Sequence, residues 1–173
     1  IRSAPSARRW FRCIRNIYGF ILQRQLPAHY WAFLFTSCCT EKMTGSIKKY
    51  CDELITGFDT IAPERKVLLE KIAAYISSKQ KENKAVNLVY ICTHNSRRSH
   101  FGQIWAQVAA AYFEISNTHT FSGGTEATAF HINAISALKR IGFVVKQMNE
   151  TPNPVYEVCF GEQLAPAVCF SKV

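Results

Sequence analysis

Between Val86 and Ile141 the chain alternates twice between a short β-favouring run and a helical apolar period, and this alternation limits the possible folds more than any other feature. VNLVYI (86–91) is short, β-branched and mostly apolar, the pattern of a strand buried in a parallel sheet. A polar loop follows. Phe101, Ile104, Trp105, Val108 and Tyr112 then recur at helical spacing. THTFSG (118–123) reads as a second strand closed by Gly123 and Gly124. A helix from about His131 to Ile141 turns Ile132, Ile135, Leu138 and Ile141 inward and stops at Gly142. FVVKQM, VYEVCF and AVCFSKV are three further strand-like runs. Strand–helix–strand–helix order predicts an α/β fold in three layers, a central parallel sheet flanked by helices. In such sheets ligands sit outside the carboxyl ends of the strands, which is where the loop beginning at Cys92 lies.

The sheet domain spans residues 85–173. Before it, Ile47, Tyr50, Cys51, Leu54, Ile55 and Phe58 mark one face of a helix, and Pro63 suits the first position of the next. That second helix carries Leu68, Leu69, Ile72, Tyr75 and Ile76 on one side, so residues 43–84 predict an N-terminal helical hairpin. Residues 1–42 hold seven Lys/Arg and one acid, and so supply +6 of the net charge of +9. Two readings of this basic segment stand: a transit-peptide-like leader, or sequence foreign to a protein that starts at Met43. Outside it the chain is only mildly basic, with no stripe of cations interleaved with aromatics, which argues against nucleic acid as a partner. No apolar run reaches the roughly 18 residues a membrane span needs.

Seven cysteines (13, 38, 39, 51, 92, 159 and 169) are odd in number, widely spread and free of C-x-x-C pairs. This suits a reduced, cytoplasmic chain better than a disulfide framework. His94 and His100 lie close to Cys92, but no second cysteine stands at zinc spacing, so no metal is expected; no cofactor is expected either.

A loop that closes a strand and opens a helix gathers backbone N–H groups around one small volume, and the helix N-terminus adds partial positive charge. Together they suit a tetrahedral oxyanion. Arg98, six residues after Cys92, can offer its planar fork to two oxygens of that anion. The same field favours thiolate over thiol and makes Cys92 a candidate nucleophile. Ser99 can cap the helix or donate to the sulfur, and Asn95 tolerates the left-handed backbone of a tight turn. None of the other six cysteines has an arginine six positions on. The plainer alternative is a buried strand-end cysteine beside solvated arginines.

With these residues in view, CTHNSRRS (92–99) resembles the phosphate-binding loop of the low-molecular-weight protein tyrosine phosphatase family, C-x-G-N-x-C-R-S, which thioredoxin-coupled arsenate reductases share. FSGGTEATAF (121–130) resembles that family's S-A-G-T element. The resemblance covers about residue 86 to the end. It implies Cys92 as nucleophile, Arg98 as phosphate and transition-state ligand, and Ser99 as the hydroxyl near the thiolate. It further implies a loop of Thr93, His94, Asn95, Ser96 and Arg97 around the anion, with Asn95 and Ser122 supporting its shape.

Three departures qualify it. His94 stands where the family has glycine and alters the rim of the pocket. Arg97 replaces a second loop cysteine, which removes an intraloop disulfide and adds a cation that favours multiply charged anions. The family's general acid is an aspartate in a late D-P motif, whereas the only aspartates here, Asp52 and Asp59, precede Cys92. The expectation is therefore a C-terminally truncated chain whose general acid is absent. The function expected is phosphomonoester hydrolysis of the tyrosine-phosphatase type through a phosphocysteine, on a phosphorylated protein or a small phosphomonoester. The alternatives are an arsenate reductase served by a thioredoxin-like reductant, with Cys159 and Cys169 as the further thiols, and a non-catalytic binder of oxyanions or phosphopeptides.

Overall fold

A computed structural model describes residues 43–173; the basic segment 1–42 lies outside the described residues. The described chain is mixed α/β, with a two-stranded parallel sheet flanked by helices. In chain order the elements are α1 (Gly45–Ile55), a 3₁₀ turn (Phe58–Thr60), α2 (Pro63–Lys81), β1 (Val86–Cys92), α3 (Arg98–Tyr112), β2 (Thr118–Gly124), α4 (Ile132–Ile141), β3 (Val144–Gln147), β4 (Tyr156–Cys159) and β5 (Ala167–Cys169). None of the described helices is long and apolar enough to cross a membrane.

β1 and β2 pair in parallel from Val86 opposite Thr118 to Cys92 opposite Gly124, so Cys92 is the last paired residue of its strand. The crossover between them is α3. The three later runs form a separate antiparallel sheet, β3–β4–β5. This differs from a single parallel sheet for a simple reason: the links 148–155 and 160–166 hold no helix and are too short for parallel crossovers. Beyond β5 the chain returns to the parallel sheet, where the Lys172 carbonyl accepts from the Gly124 N–H at 2.9 Å.

The core lies around α3. Phe101, Ile104, Trp105 and Val108 are buried, and Trp105 stacks on Tyr50 of α1 (centroids 5.7 Å apart) and meets Phe143 edge-on at 5.0 Å. α1 buries Ile47 and Cys51 and is tied down where the Thr44 N–H donates to the Phe160 carbonyl at 2.9 Å. Pro63 opens α2. The buried stripe of α2 is Leu69, Ala73 and Ile76, while Leu68 and Tyr75 stay exposed. The helix rests on β1 along a narrow line, so a wide apolar face finds cover for only part of its width. In α4, Ala134, Ile135 and Leu138 are buried, but Ile132 is exposed at the helix start. His131 caps that helix by accepting from the Asn133 N–H, and Gly142 ends it in the left-handed region at φ 112°. On the face of the parallel sheet away from α3, Val89, Ile91 and Phe121 are exposed.

Gly102 sets how closely α3 approaches β1, and hence where the first turn of α3 meets Cys92. A Cβ at residue 102 would fall 2.6 Å from Tyr90 Cγ and 2.9 Å from Tyr90 Cβ, atoms too near the backbone to swing aside. Gly102→Ala should therefore lower stability by roughly 1–3 kcal/mol despite the better helix propensity of alanine, read as a drop in urea midpoint at unchanged slope.

Candidate functional site

Cys92 ends β1, and α3 begins at Arg98, so residues 93–97 must reverse the chain within one short loop. Asn95 makes this possible. Its φ of 38° lies in the left-handed region that asparagine tolerates, and its side chain is fully buried. The Asn95 Nδ2 donates to the Lys172 carbonyl at 3.1 Å, which turns Oδ1 toward Ser99, whose hydroxyl donates to it at 2.8 Å. Ser99 Oγ also lies 3.1 Å from Cys92 Sγ, and its single proton can serve either Asn95 Oδ1 or the sulfur, while the thiol form of Cys92 can donate to the Ser99 oxygen. Asn95, Ser99 and Cys92 thus form one chain of contacts from the loop's buried side to its sulfur. Ser99 sits in the first turn of α3, not at its N-cap; the N-cap is Arg97, with no side-chain capping bond.

Burial acts to raise the Cys92 thiol pKa. The Ser99 hydroxyl and the backbone N–H groups of Ser99, Ser96 and Asn95 outweigh it and hold the pKa below the ordinary 9.0. Donors aimed at a sulfur stabilise its anion. Cys92 opens into a cleft of about 560 Å³ lined also by His94, Ser96, Arg97, Arg98, Thr128 and Phe130. Both arginines are exposed, and among the described residues neither has a carboxylate at ion-pair distance. Two guanidinium groups with no carboxylate partner among the described residues and a sulfur of lowered pKa therefore line one cleft, a combination that suits an anion.

The loop is clamped from outside. The Thr93 carbonyl accepts from the N–H groups of Thr125 and Glu126, both at 2.9 Å, and from the Thr125 hydroxyl at 3.2 Å. The His94 carbonyl accepts from the hydroxyls of Thr128 (3.0 Å) and Ser171 (3.1 Å). Ser96 donates from its hydroxyl to the Ala129 carbonyl at 2.6 Å. Gly124 passes so close that an added Cβ would stand 2.7 Å from the Asn95 nitrogen and 2.8 Å from the Cys92 oxygen. Ser122, expected to support the loop, is buried with its hydroxyl 3.1 Å from His100 Nδ1, so it steadies α3 behind the loop. His94 and His100 serve different places. His94 is on the cleft rim, 2.7 Å from Glu126, whereas His100 is buried against Phe130, ring centroids 4.4 Å apart. Among the described residues no group of three or more His, Cys, Asp or Glu side chains could hold a metal ion.

Neither aspartate lines the cleft. Asp52 accepts from the Tyr112 hydroxyl at 2.6 Å and pairs with Lys48, and Asp59 sits in the 3₁₀ turn. Sequence reasoning missed Glu126, Thr128, Ser171 and the Lys172 carbonyl. Their contacts to the loop span from about 30 to nearly 80 residues of sequence, and no local pattern announces such contacts. No family model matches the chain, and no match was found among curated proteins or solved structures.

Two outcomes follow. The rate of Cys92 alkylation by iodoacetamide should titrate with a midpoint below 9.0, and Ser99→Ala should move that midpoint upward. Burial, then the Lys172 charge, push the His100 imidazole down to about 4. The unfolded chain takes up this proton near the ordinary 6.5, so stability is intact above that pH and falls as pH drops toward 4. The loss is on the order of 3 kcal/mol, and urea unfolding with His100→Gln as control should lack this component.

Proposed function

We propose that the chain is a phosphomonoester hydrolase of the tyrosine-phosphatase type, working through a phosphocysteine on Cys92. The observation that carries this reading is a strand-end sulfur 3.1 Å from the Ser99 hydroxyl, its pKa held below the ordinary value by that hydroxyl and neighbouring backbone N–H groups, in a cleft also lined by two arginines that have no carboxylate partner among the described residues. A sulfur merely buried at a strand end would have its thiol form favoured instead. Cys92 attacks phosphorus as thiolate. The N–H groups of the loop and the fork of Arg98 take the equatorial oxygens, whose charge they are positioned to hold through the transition state. Arg97 adds a second cation at the rim, which suits dianionic esters. Ser99 then turns its proton from Asn95 Oδ1 to the sulfur and stabilises the thiolate as leaving group when water cleaves the phosphocysteine.

The substrate class is a phosphorylated protein or a small phosphomonoester, and the resemblance of residues 92–99 and 121–130 to the low-molecular-weight phosphatase family supports it. The accompanying fold reading is the three-layer one, with the helices of residues 45–81 as a hairpin and a further layer over Val89, Ile91 and Phe121. A reduced, cytoplasmic setting keeps such a thiolate active.

Arsenate reduction on the same loop requires a second thiol within reach. Among the described residues Cys92 is the only cysteine lining the cleft; Cys159 and Cys169, the further thiols expected, lie outside it, and burial pushes Cys169 up to about 12. These positions favour hydrolysis over reduction.

Hydrolysis of para-nitrophenyl phosphate tests the reading, because that leaving group is stable as an anion. Turnover should be present in the unsubstituted protein, fall to background in Cys92→Ser, and fall by about 10²–10³-fold in Arg98→Ala. No turnover from folded protein, with inorganic phosphate still slowing Cys92 alkylation, would replace hydrolysis with oxyanion binding.

A further inference from the structure

Among the described residues no Asp or Glu lines the cleft beside Cys92, so none of them offers a carboxylic acid there to protonate a leaving group. The cleft does contain two imidazoles, those of His94 and His131, and the His131 Nδ1 is taken up in capping α4, where it accepts from the Asn133 N–H. His94 is part of the cleft wall, and its Nδ1 lies 2.7 Å from Glu126 Oε2, a residue just outside the cleft. Among the described residues His94 Nε2 has no bonding partner.

The pair has little value as a salt bridge. With side chains 53% and 61% exposed, solvent screens it, and a contribution to stability does not explain its placement. What distinguishes it is its mounting. The backbones of its two members are fastened together, since the Glu126 N–H donates to the carbonyl of Thr93, the residue before His94. The His94 carbonyl is itself held by two hydroxyls, those of Thr128 and Ser171. A carboxylate fixed on Nδ1 orients an imidazole ring and sets which nitrogen is left to exchange protons. Here that nitrogen is Nε2, on a residue two positions from the nucleophile.

Building on the phosphatase reading above, we propose that His94, oriented by Glu126, is the general acid and then the general base of this site. In the first half-reaction the Cys92 sulfur forms the S–P bond as the P–O bond of the ester breaks, and the His94 imidazolium passes its Nε2 proton to the departing oxygen. In the second, neutral His94 takes a proton from water as that water attacks phosphorus. The S–P bond breaks, and orthophosphate, Cys92 thiolate and the imidazolium are restored. No oxidant or further reactant enters. Glu126 acts on the substrate only through His94 and is a positioning residue.

Leaving-group dependence tests this, because an acid matters for a poor leaving group and hardly for one stable as an anion. The quantity to compare is kcat/KM, which reports formation of the phosphocysteine, for phenyl phosphate and para-nitrophenyl phosphate. His94→Ala should lower kcat/KM on phenyl phosphate by about 10²–10⁴-fold and on para-nitrophenyl phosphate by far less. Glu126→Gln should show the same selectivity at smaller size, and free imidazole should restore part of the phenyl phosphate rate to His94→Ala. Equal losses on both esters, or none on either, would overturn the role of His94 while leaving the phosphatase reading intact. Absence of any Cys92-dependent turnover in the unsubstituted protein would overturn that reading, and this one with it.

Discussion

The side chain of Asn95 is the single contact on which the loop geometry turns. It joins three segments: the loop after β1, the first turn of α3 and the backbone near Lys172. One amide serves all three because its two ends are chemically different. The NH₂ group can only donate, and it donates to the Lys172 carbonyl; the oxygen can only accept, and it accepts from Ser99. Being fully buried, the amide would cost about 1–3 kcal/mol for each end left unsatisfied. That penalty disfavours any arrangement in which the Lys172 segment or the start of α3 moves away. The left-handed backbone at Asn95 adds a second constraint, tolerable for asparagine and costly for most other residues.

What the amide holds is rigid, and what the cleft presents is free. Carbonyls of Thr93, His94 and Ser96 face outward to partners on the 125–131 segment and Ser171, so the loop's N–H groups are left facing the sulfur side. The Thr93 and His94 carbonyls would otherwise compete with an anion for the same donors. By contrast Arg97 and Arg98 are exposed, and neither has a carboxylate partner among the described residues. A fixed set of dipoles beside exposed full charges suits an anion, because the dipoles need no reorganisation when it arrives.

Much of the fold can be read from local pattern. The strand at Val86, the core positions of α3 and the stop at Gly142 rest on short-range periodicity and one glycine, and they recur in the structure. The pairing of β3, β4 and β5 is different. Each run reads as a strand, but only the short helix-free links between them fix the antiparallel sense, and apolar composition says nothing of direction. The overestimate on α2, where Leu68 and Tyr75 remain exposed, has a related origin: periodicity identifies a face, and tertiary contact decides its width. At the site, spacing picks out Cys92, Arg98 and Ser99 because they lie on one continuous loop. Glu126, Ser171 and Lys172 reach that loop through sheet topology, which no local window contains.

The chain's other thiols show why topology matters to the chemistry of Cys92. Cys51 and Cys169 are buried in helix and strand, where their backbone neighbours are already bonded within those elements. Burial pushes both thiols up to about 12. Cys169 has only a distant side-chain partner, Gln103 Oε1 at 3.9 Å, and that oxygen can accept but cannot stabilise a thiolate. Burial raises the pKa at Cys92 as well; the shift is reversed because the strand has ended and the helix has barely begun, so N–H groups that would be bonded within either element are free to point at sulfur. Moving the cysteine two residues back along β1 would give it a ladder position and the ordinary behaviour of a core thiol. Its lowered pKa is a property of the strand-to-helix junction, and the Asn95 turn is what keeps that junction open.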